Sequence, residues 1–155
     1  RADCWTILER LWALAPQPGP TMLKPAVRAL STRLRRSTVV FLVSDFMTDE
    51  DVFDGGELSV LAAKHDVIAV VPEDPAETAL PTGLGYLRLR DLESGRAKTI
   101  ELNQDARTAY GEQVRQHHDS LTQGFYRVPM DYAFLRTDEN SVEQLMTLLA
   151  SRLKA

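Results

Sequence analysis

The sequence predicts an α/β fold: a mainly parallel sheet in a three-layer, Rossmann-type arrangement, with a small β-hairpin inserted in it. Three observations carry this. Val39-Val40-Phe41-Leu42-Val43 is a continuous β-branched and aromatic run without alternation, so burial on both faces is expected, as for a strand lying under helices. Val67-Ile68-Ala69-Val70-Val71 repeats that character. Stretches with helical periodicity separate the apolar runs, and strands alternating with helices require parallel pairing through right-handed crossovers.

The elements follow in order. Trp5, Leu8, Leu11, Trp12 and Ala15 recur at helical spacing, which predicts a first helix over about 3–15. Pro16-Gln17-Pro18-Gly19-Pro20 stops it in a stiff loop. Leu23, Ala26, Val27, Leu30 and Leu34 form the stripe of a second helix, about 22–36, with Pro25 tolerable in its first turn. Arg33, Arg35 and Arg36 then fall in its last turn, where cations favour the helix dipole, and are read as a solvated end.

A strand over 38–44 comes next, followed by an acidic run over 45–57 containing Asp49, Glu50, Asp51 and Asp54, expected as an exposed loop. A helix over about 57–65 leads through His65-Asp66 into the second strand, which Pro72 is expected to end. Residues 72–83 read as a proline-containing loop. Gly85–Arg90 and Ala97–Leu102 alternate about Glu93-Ser94-Gly95, the signature of a hairpin with one polar face. Ala106, Tyr110, Val114, Leu121 and Phe125 mark a long helix over about 103–126. Tyr132–Arg136 is the third buried strand. Thr137-Asp138 is expected to cap a last helix, about 139–153, with the stripe Val142, Leu145, Met146, Leu149 and Leu153.

Bulk properties narrow the function classes. A length of 155 residues fits one domain, and a net charge of −4 supplies no basic field for nucleic acid. No run approaches the roughly 18 apolar residues of a membrane span, and no signal-peptide pattern opens the chain. A cytoplasmic segment without membrane contact is therefore expected, compatible with a membrane-anchored parent. The single cysteine, Cys4, excludes an intrachain disulfide framework and a multi-cysteine zinc site, and is expected to be a buried or half-buried thiol. There is no Walker loop and no Gly-x-Gly-x-x-Gly. His65 abuts a strand start, where capping or packing is the commoner role. His117 and His118 are adjacent, so on a helix they diverge by about 100° and share no i,i+4 site. No serine or cysteine elbow accompanies any histidine.

Asp45 stands out by position. It follows the first apolar strand, and ligands of open α/β sheets sit at the carboxyl ends of strands. A strand-terminating turn is its structural alternative. Thr21, at the mouth of the second helix, reads on its own as an N-cap or loop residue.

Several stretches together match a known pattern. They are Thr21 before a helix, Val40-Phe41-Leu42-Val43-Ser44-Asp45-Phe46, His65-Asp66-Val67-Ile68-Ala69-Val70, Leu87-Arg88-Leu89-Arg90-Asp91 with Glu93-Ser94-Gly95, and Leu135-Arg136-Thr137-Asp138. Over nearly its whole length the chain resembles the C-terminal half of the prokaryotic family of unknown function numbered 58. Members of that family resemble von Willebrand factor A domains and are commonly encoded beside MoxR-type AAA+ ATPases.

The resemblance implies a single partial von Willebrand factor A-like domain over 1–155, whose first strands and metal loop lie upstream. It implies a metal-ion-dependent adhesion site with Thr21 as its threonine and Asp45 as its last aspartate. The Asp-x-Ser-x-Ser loop of such sites is absent from this sequence, so the site is incomplete. Mg²⁺ is expected in the intact protein and is not expected to be retained by these residues alone. The function implied is non-enzymatic: metal-dependent binding of a protein partner, with a MoxR-type AAA+ ATPase, in assembly or maturation of protein complexes. The same strand order leaves 38–44 beside a missing neighbour, so self-association is expected through an uncovered edge, with Trp5, Trp12 and Leu23 partly exposed. The rival reading is a receiver-like signalling domain or enzyme using Asp45 as phosphoacceptor. It lacks its expected lysine after the last strand, where Arg136-Thr137-Asp138 stands instead.

Overall fold

The computed structural model describes residues 3–15, 19–91 and 95–153. The elements are α1 (Cys4–Ala13), α2 (Leu23–Arg33), β1 (Val39–Val43), α3 (Glu57–Lys64), β2 (Asp66–Glu73), a short α4 (Pro75–Thr78), β3 (Tyr86–Arg90), β4 (Ala97–Glu101), α5 (Gln104–Arg127), β5 (Asp131–Arg136) and α6 (Ser141–Arg152). The fold is mixed α/β, with a three-stranded parallel sheet in the order β1-β2-β5 and a separate antiparallel hairpin, β3-β4.

Register assigns the faces of the sheet. Val40 lies beside Val67, Leu42 beside Ala69, Ala69 beside Tyr132 and Val71 beside Phe134. These side chains share one face, and α2, α3 and α5 cover it. Val27, Leu58 and Leu61 pack there with Val40 and Val67, while Leu121 and Phe125 pack with Ala69 and Val71. The opposite face carries Val39, Phe41, Val43, Asp66, Ile68, Val70 and Asp131. Helix α6 lies over its β2–β5 side: Arg152 bridges Asp66 and Asp131, at 2.7 Å from the latter.

The covered face is locked by aromatic rings. Phe125 meets Phe46 and Phe53 edge-on, with centroids 5.3 Å apart in both cases, and stacks on Tyr132 at 4.8 Å. Gly124 lets α5 approach this close, since a Cβ there would lie 2.5 Å from the Phe53 ring.

Several expectations are corrected. The burial of β1 alternates, with Val40 buried and Val39, Phe41 and Val43 between 45% and 67% exposed, so only one of its faces is covered. Its composition resembles a doubly buried strand, but an apolar side chain is buried only where another element reaches it. Pro72 does not end β2, which runs on to Glu73. The carbonyl of Val70 accepts from Ser44 on the β1 side, and that of Glu73 accepts from Thr137 on the β5 side. Pro72 shares the parity of Val70, so its nitrogen faces β1 beyond the last β1 pair, Val43–Val70, where no ladder bond is lost.

The segment 72–83 contains α4, capped by Asp74, whose Oδ1 accepts from the N–H of Ala76 at 2.8 Å. Helix α2 ends at Arg33, leaving Arg35 and Arg36 beyond it, all three exposed. Asn140, not Thr137-Asp138, caps α6, accepting from the N–H groups of Val142 and Glu143. Asp138 is drawn away by Arg136, 2.8 Å from it. The stripe of α6 is largely uncovered, with Val142, Met146 and Leu153 exposed. Helix α1 buries none of its residues, and Cys4 is exposed. Glu93 and Ser94 lie outside the described residues, and Gly95 sits at φ +70, a left-handed conformation suited to glycine.

Candidate functional site

Parallel pairing brings Asp45, Glu73 and Arg136 to the carboxyl end of the sheet, at the ends of β1, β2 and β5. The chain turns abruptly after β1. Ser44 Oγ accepts from the N–H of Phe46 at 3.0 Å, and Asp45 Oδ1 accepts from the N–H of Met47 at 3.1 Å. Phe46 adopts φ +55, a left-handed conformation that is costly for an aromatic residue. Its ring stays buried in the aromatic cluster, which holds that conformation, while Asp45 remains exposed. From α5, the His117 ring reaches the Asp45 carbonyl, with Nε2 at 3.2 Å.

Thr21 belongs to the loop before α2 and is half-buried. Thr48, three residues after Asp45, donates its hydroxyl to the Thr21 carbonyl at 2.7 Å, tying this loop to the one after β1. Two residues further, Glu50 Oε2 accepts from the N–H groups of Leu23 and Lys24, at 2.5 and 2.9 Å. Met22, at the cap position of α2, has no side-chain oxygen, so a carboxylate 26 to 27 residues away satisfies the first helical donors and meets the positive end of the helix dipole.

The acidic run is therefore stitched to the body rather than a free loop. Besides Glu50, Asp54 pairs with Arg127 at 2.7 Å and Glu57 with Arg28 at 2.8 Å. The hydrogen bond from Arg28 holds the Glu57 carboxyl below the usual range. Val52 is buried in the core.

The other candidates separate as their spacing implies. His117 turns to Asp45, whereas His118 stacks on Phe134 at 3.9 Å between ring centroids and stands 4.0 Å from Glu73. His65 ends α3, its N–H donating to the Leu61 carbonyl at 2.9 Å, and its ring is buried with both nitrogens lacking a hydrogen-bond partner among the described residues. Arg136, where a receiver would carry lysine, is committed to Asp138 and to Glu139, the latter at 3.2 Å.

Sequence reasoning missed Glu50, Phe46 and His117 as parts of this edge. Glu50 lies in a run that reads as solvated acid, and nothing local marks it as a remote cap. Phe46 has no turn-residue chemistry to announce its positive φ. Among the described residues, no group of three or more His, Cys, Asp or Glu is placed to hold a metal ion, and no helix is long and apolar enough to cross a membrane.

An open edge of a parallel α/β sheet with an acidic strand end defines the structural class, and comparison with known proteins supplies the family. The chain belongs to the family described as "Protein of unknown function DUF58", whose model matches residues 1–120. It is 26% identical to "Uncharacterized protein Rv1480" of Mycobacterium tuberculosis (strain ATCC 25618 / H37Rv) and to "Uncharacterized protein Mb1516" of Mycobacterium bovis, over 84% of this chain and 40% of each relative. It is 25% identical to "Uncharacterized protein MAV169" of Mycobacterium avium, over 84% of this chain and 75% of that protein. The chain thus spans well under half the length of Rv1480 and Mb1516. No solved structure matches it.

Proposed function

We propose that this chain is part of a von Willebrand factor A-like domain that binds a protein partner through a metal ion, without catalysis. On this reading it works with a MoxR-type AAA+ ATPase in the assembly or maturation of protein complexes. The observation that carries the proposal is the exposed carboxylate of Asp45 at the carboxyl end of β1, on a turn held by the left-handed Phe46, with the Thr21 loop pinned beside that turn by Thr48.

The donors are chemically suited to Mg²⁺. A hydroxyl and a carboxylate are hard oxygens, and Mg²⁺ keeps several waters while using one or two carboxylates. Thr21 and Asp45 would hold the ion, which would supply an open coordination position for a carboxylate of the partner. Two donors are well short of an octahedral set, so high affinity requires further oxygens from the parent protein or the partner.

The test is capture of the AAA+ ATPase encoded beside the parent gene, by the parent protein, in Mg²⁺ and in chelator. Capture is expected only with Mg²⁺ and is expected to fail for Asp45→Ala. Equal capture in chelator would reject the metal-dependent reading. Titration of the 155-residue chain alone should show no binding tighter than about millimolar, as two oxygen ligands imply.

A further inference from the structure

We propose that the outer edge of β3 takes up an acidic, extended segment of a partner protein as a third, antiparallel strand of the hairpin. The hairpin stands clear of the three-stranded sheet. His117 on α5 reaches the Asp45 carbonyl at the carboxyl edge, and Phe125 packs on Ala69 and Tyr132 further down. Residues 104–116 of α5 therefore overhang that edge by about 20 Å. The segment between β2 and α5 is tied to this overhang. Tyr110 donates its hydroxyl to the Glu77 carbonyl at 2.7 Å, and the Arg107 guanidinium donates to the carbonyls of Pro81, at 3.2 Å, and Gly83.

Register determines which backbone groups face outward. Leu102 donates to the Gly85 carbonyl and Asp91 to the Arg96 carbonyl, so residues of odd number in β3 turn their N–H and C=O groups toward β4. Tyr86, Arg88 and Arg90 turn theirs outward, where no strand lies among the described residues. Their side chains share one face of the hairpin, and all three are exposed. Thr99 and Ala97 stand opposite the two arginines, while Glu101, the acid on this face, stands opposite Tyr86. Among the described residues, no ion pair engages Arg88 or Arg90. The edge thus presents two uncompensated cations about 7 Å apart along the strand, in a chain whose net charge is −4.

These features select the occupant. Each outward residue can exchange both backbone hydrogen bonds with one residue of an antiparallel guest, whose side chain then lies beside its own. Carboxylates two residues apart in the guest would meet Arg88 and Arg90. The β-branched residues between them would extend the other face, where Leu87 and Ile100 are half-buried. A second copy fits badly, because full overlap of two β3 strands sets Arg88 opposite itself. Arginines on an edge keep apolar strands away, and an acidic strand is the one they admit. A two-stranded hairpin is marginal by itself, so a third strand also stabilises it.

The test uses the parent protein, with every segment outside these 155 residues in place. It is run in chelator, so that its outcome does not depend on the metal-binding reading. The probe is a fluorescent peptide, Thr-Val-Glu-Val-Glu-Val-Thr, followed by anisotropy. It should bind less tightly as salt is raised, and at least about tenfold more tightly than its lysine counterpart, Thr-Val-Lys-Val-Lys-Val-Thr. Arg88→Glu/Arg90→Glu should reverse that preference. Arg35→Glu/Arg36→Glu, at exposed arginines outside the hairpin, should leave it unchanged. N-methylation of the two glutamate amides should abolish binding and methylation of the central valine amide should not, because only the glutamates direct their N–H groups to β3. Circular dichroism on each protein variant verifies the fold. Failure of the acidic probe to bind the parent protein would overturn the proposal. So would equal binding of the lysine probe, or binding that survives methylation at glutamate.

Discussion

The two faces of the three-stranded sheet differ in what covers them, although the strands read alike. Behind β1, Val40 and Leu42 meet α2, α3 and the aromatic cluster under α5. In front, Val39, Phe41 and Val43 meet solvent. Strand β2, of similar composition, keeps all five residues from Val67 to Val71 buried because β1 and β5 flank it and helices lie over both its faces. Burial here is set by position in the sheet, not by hydrophobicity. Helix α1, with Trp12 93% exposed, likewise buries none of its residues.

The largest expected contrast compares one phenylalanine from each side. Phe125 is 1% exposed and packs against four aromatic rings, so Phe125→Ala should cost about 3–5 kcal/mol of unfolding free energy. Phe41→Ala, at 45% exposure, should cost less than about 1.5 kcal/mol in the monomer. Urea denaturation at low protein concentration measures both. Similar losses would mean that β1 is covered on both faces.

A finer contrast lies along α5. Gly124→Ala would drive a Cβ to 2.5 Å from the Phe53 ring and should destabilise by about 1–3 kcal/mol, because the rings around Phe53 leave it little room. Gly111→Ala on the same helix meets nothing within 4 Å and should stabilise by about 0.5–1 kcal/mol. Thermal unfolding of the two variants should move in opposite directions.

Much of the fold was legible in the sequence, for identifiable reasons. Long periodic segments gave α2 and α5, and a continuous apolar run gave β2, within a few residues, and the alternating segments gave the hairpin. Strand alternation with helices gave the parallel pairing. What was not legible depended on partners remote in sequence. The open face of β1 cannot be read from Val39–Val43, since the same residues would be buried beside another strand or beneath another helix. The continuation of β2 through Pro72 depends on where β1 stops. Asn140 caps α6 because Arg136 takes Asp138, a competition that spacing alone does not decide. At the candidate site, position in the sheet singled out Asp45. The turn that presents it depends on Phe46, and the anchoring of the Thr21 loop on Thr48, neither of which carries a local signal.

The smallest effect expected on the covered side is a pH dependence. Arg28 on α2 binds Glu57 at the start of α3, two helices of that layer, and this hydrogen bond lowers the Glu57 pKa below its ordinary value of 4.5. A carboxylate whose folded pKa is depressed adds stability that is present above its unfolded pKa and lost as pH falls through its folded one. The parent chain should therefore lose α2–α3 stability as acid is added below about pH 4.5, and Glu57→Gln should flatten that part of the profile. At neutral pH the same variant should lie below the parent, and the two curves should converge in acid. Because the Arg28 side chain is 69% exposed, added salt should shrink the difference. Unfolding midpoints between about pH 3 and 7, at low and high salt, measure it. A difference that persists in acid or resists salt would show that Glu57 holds the two helices by packing rather than by its charge.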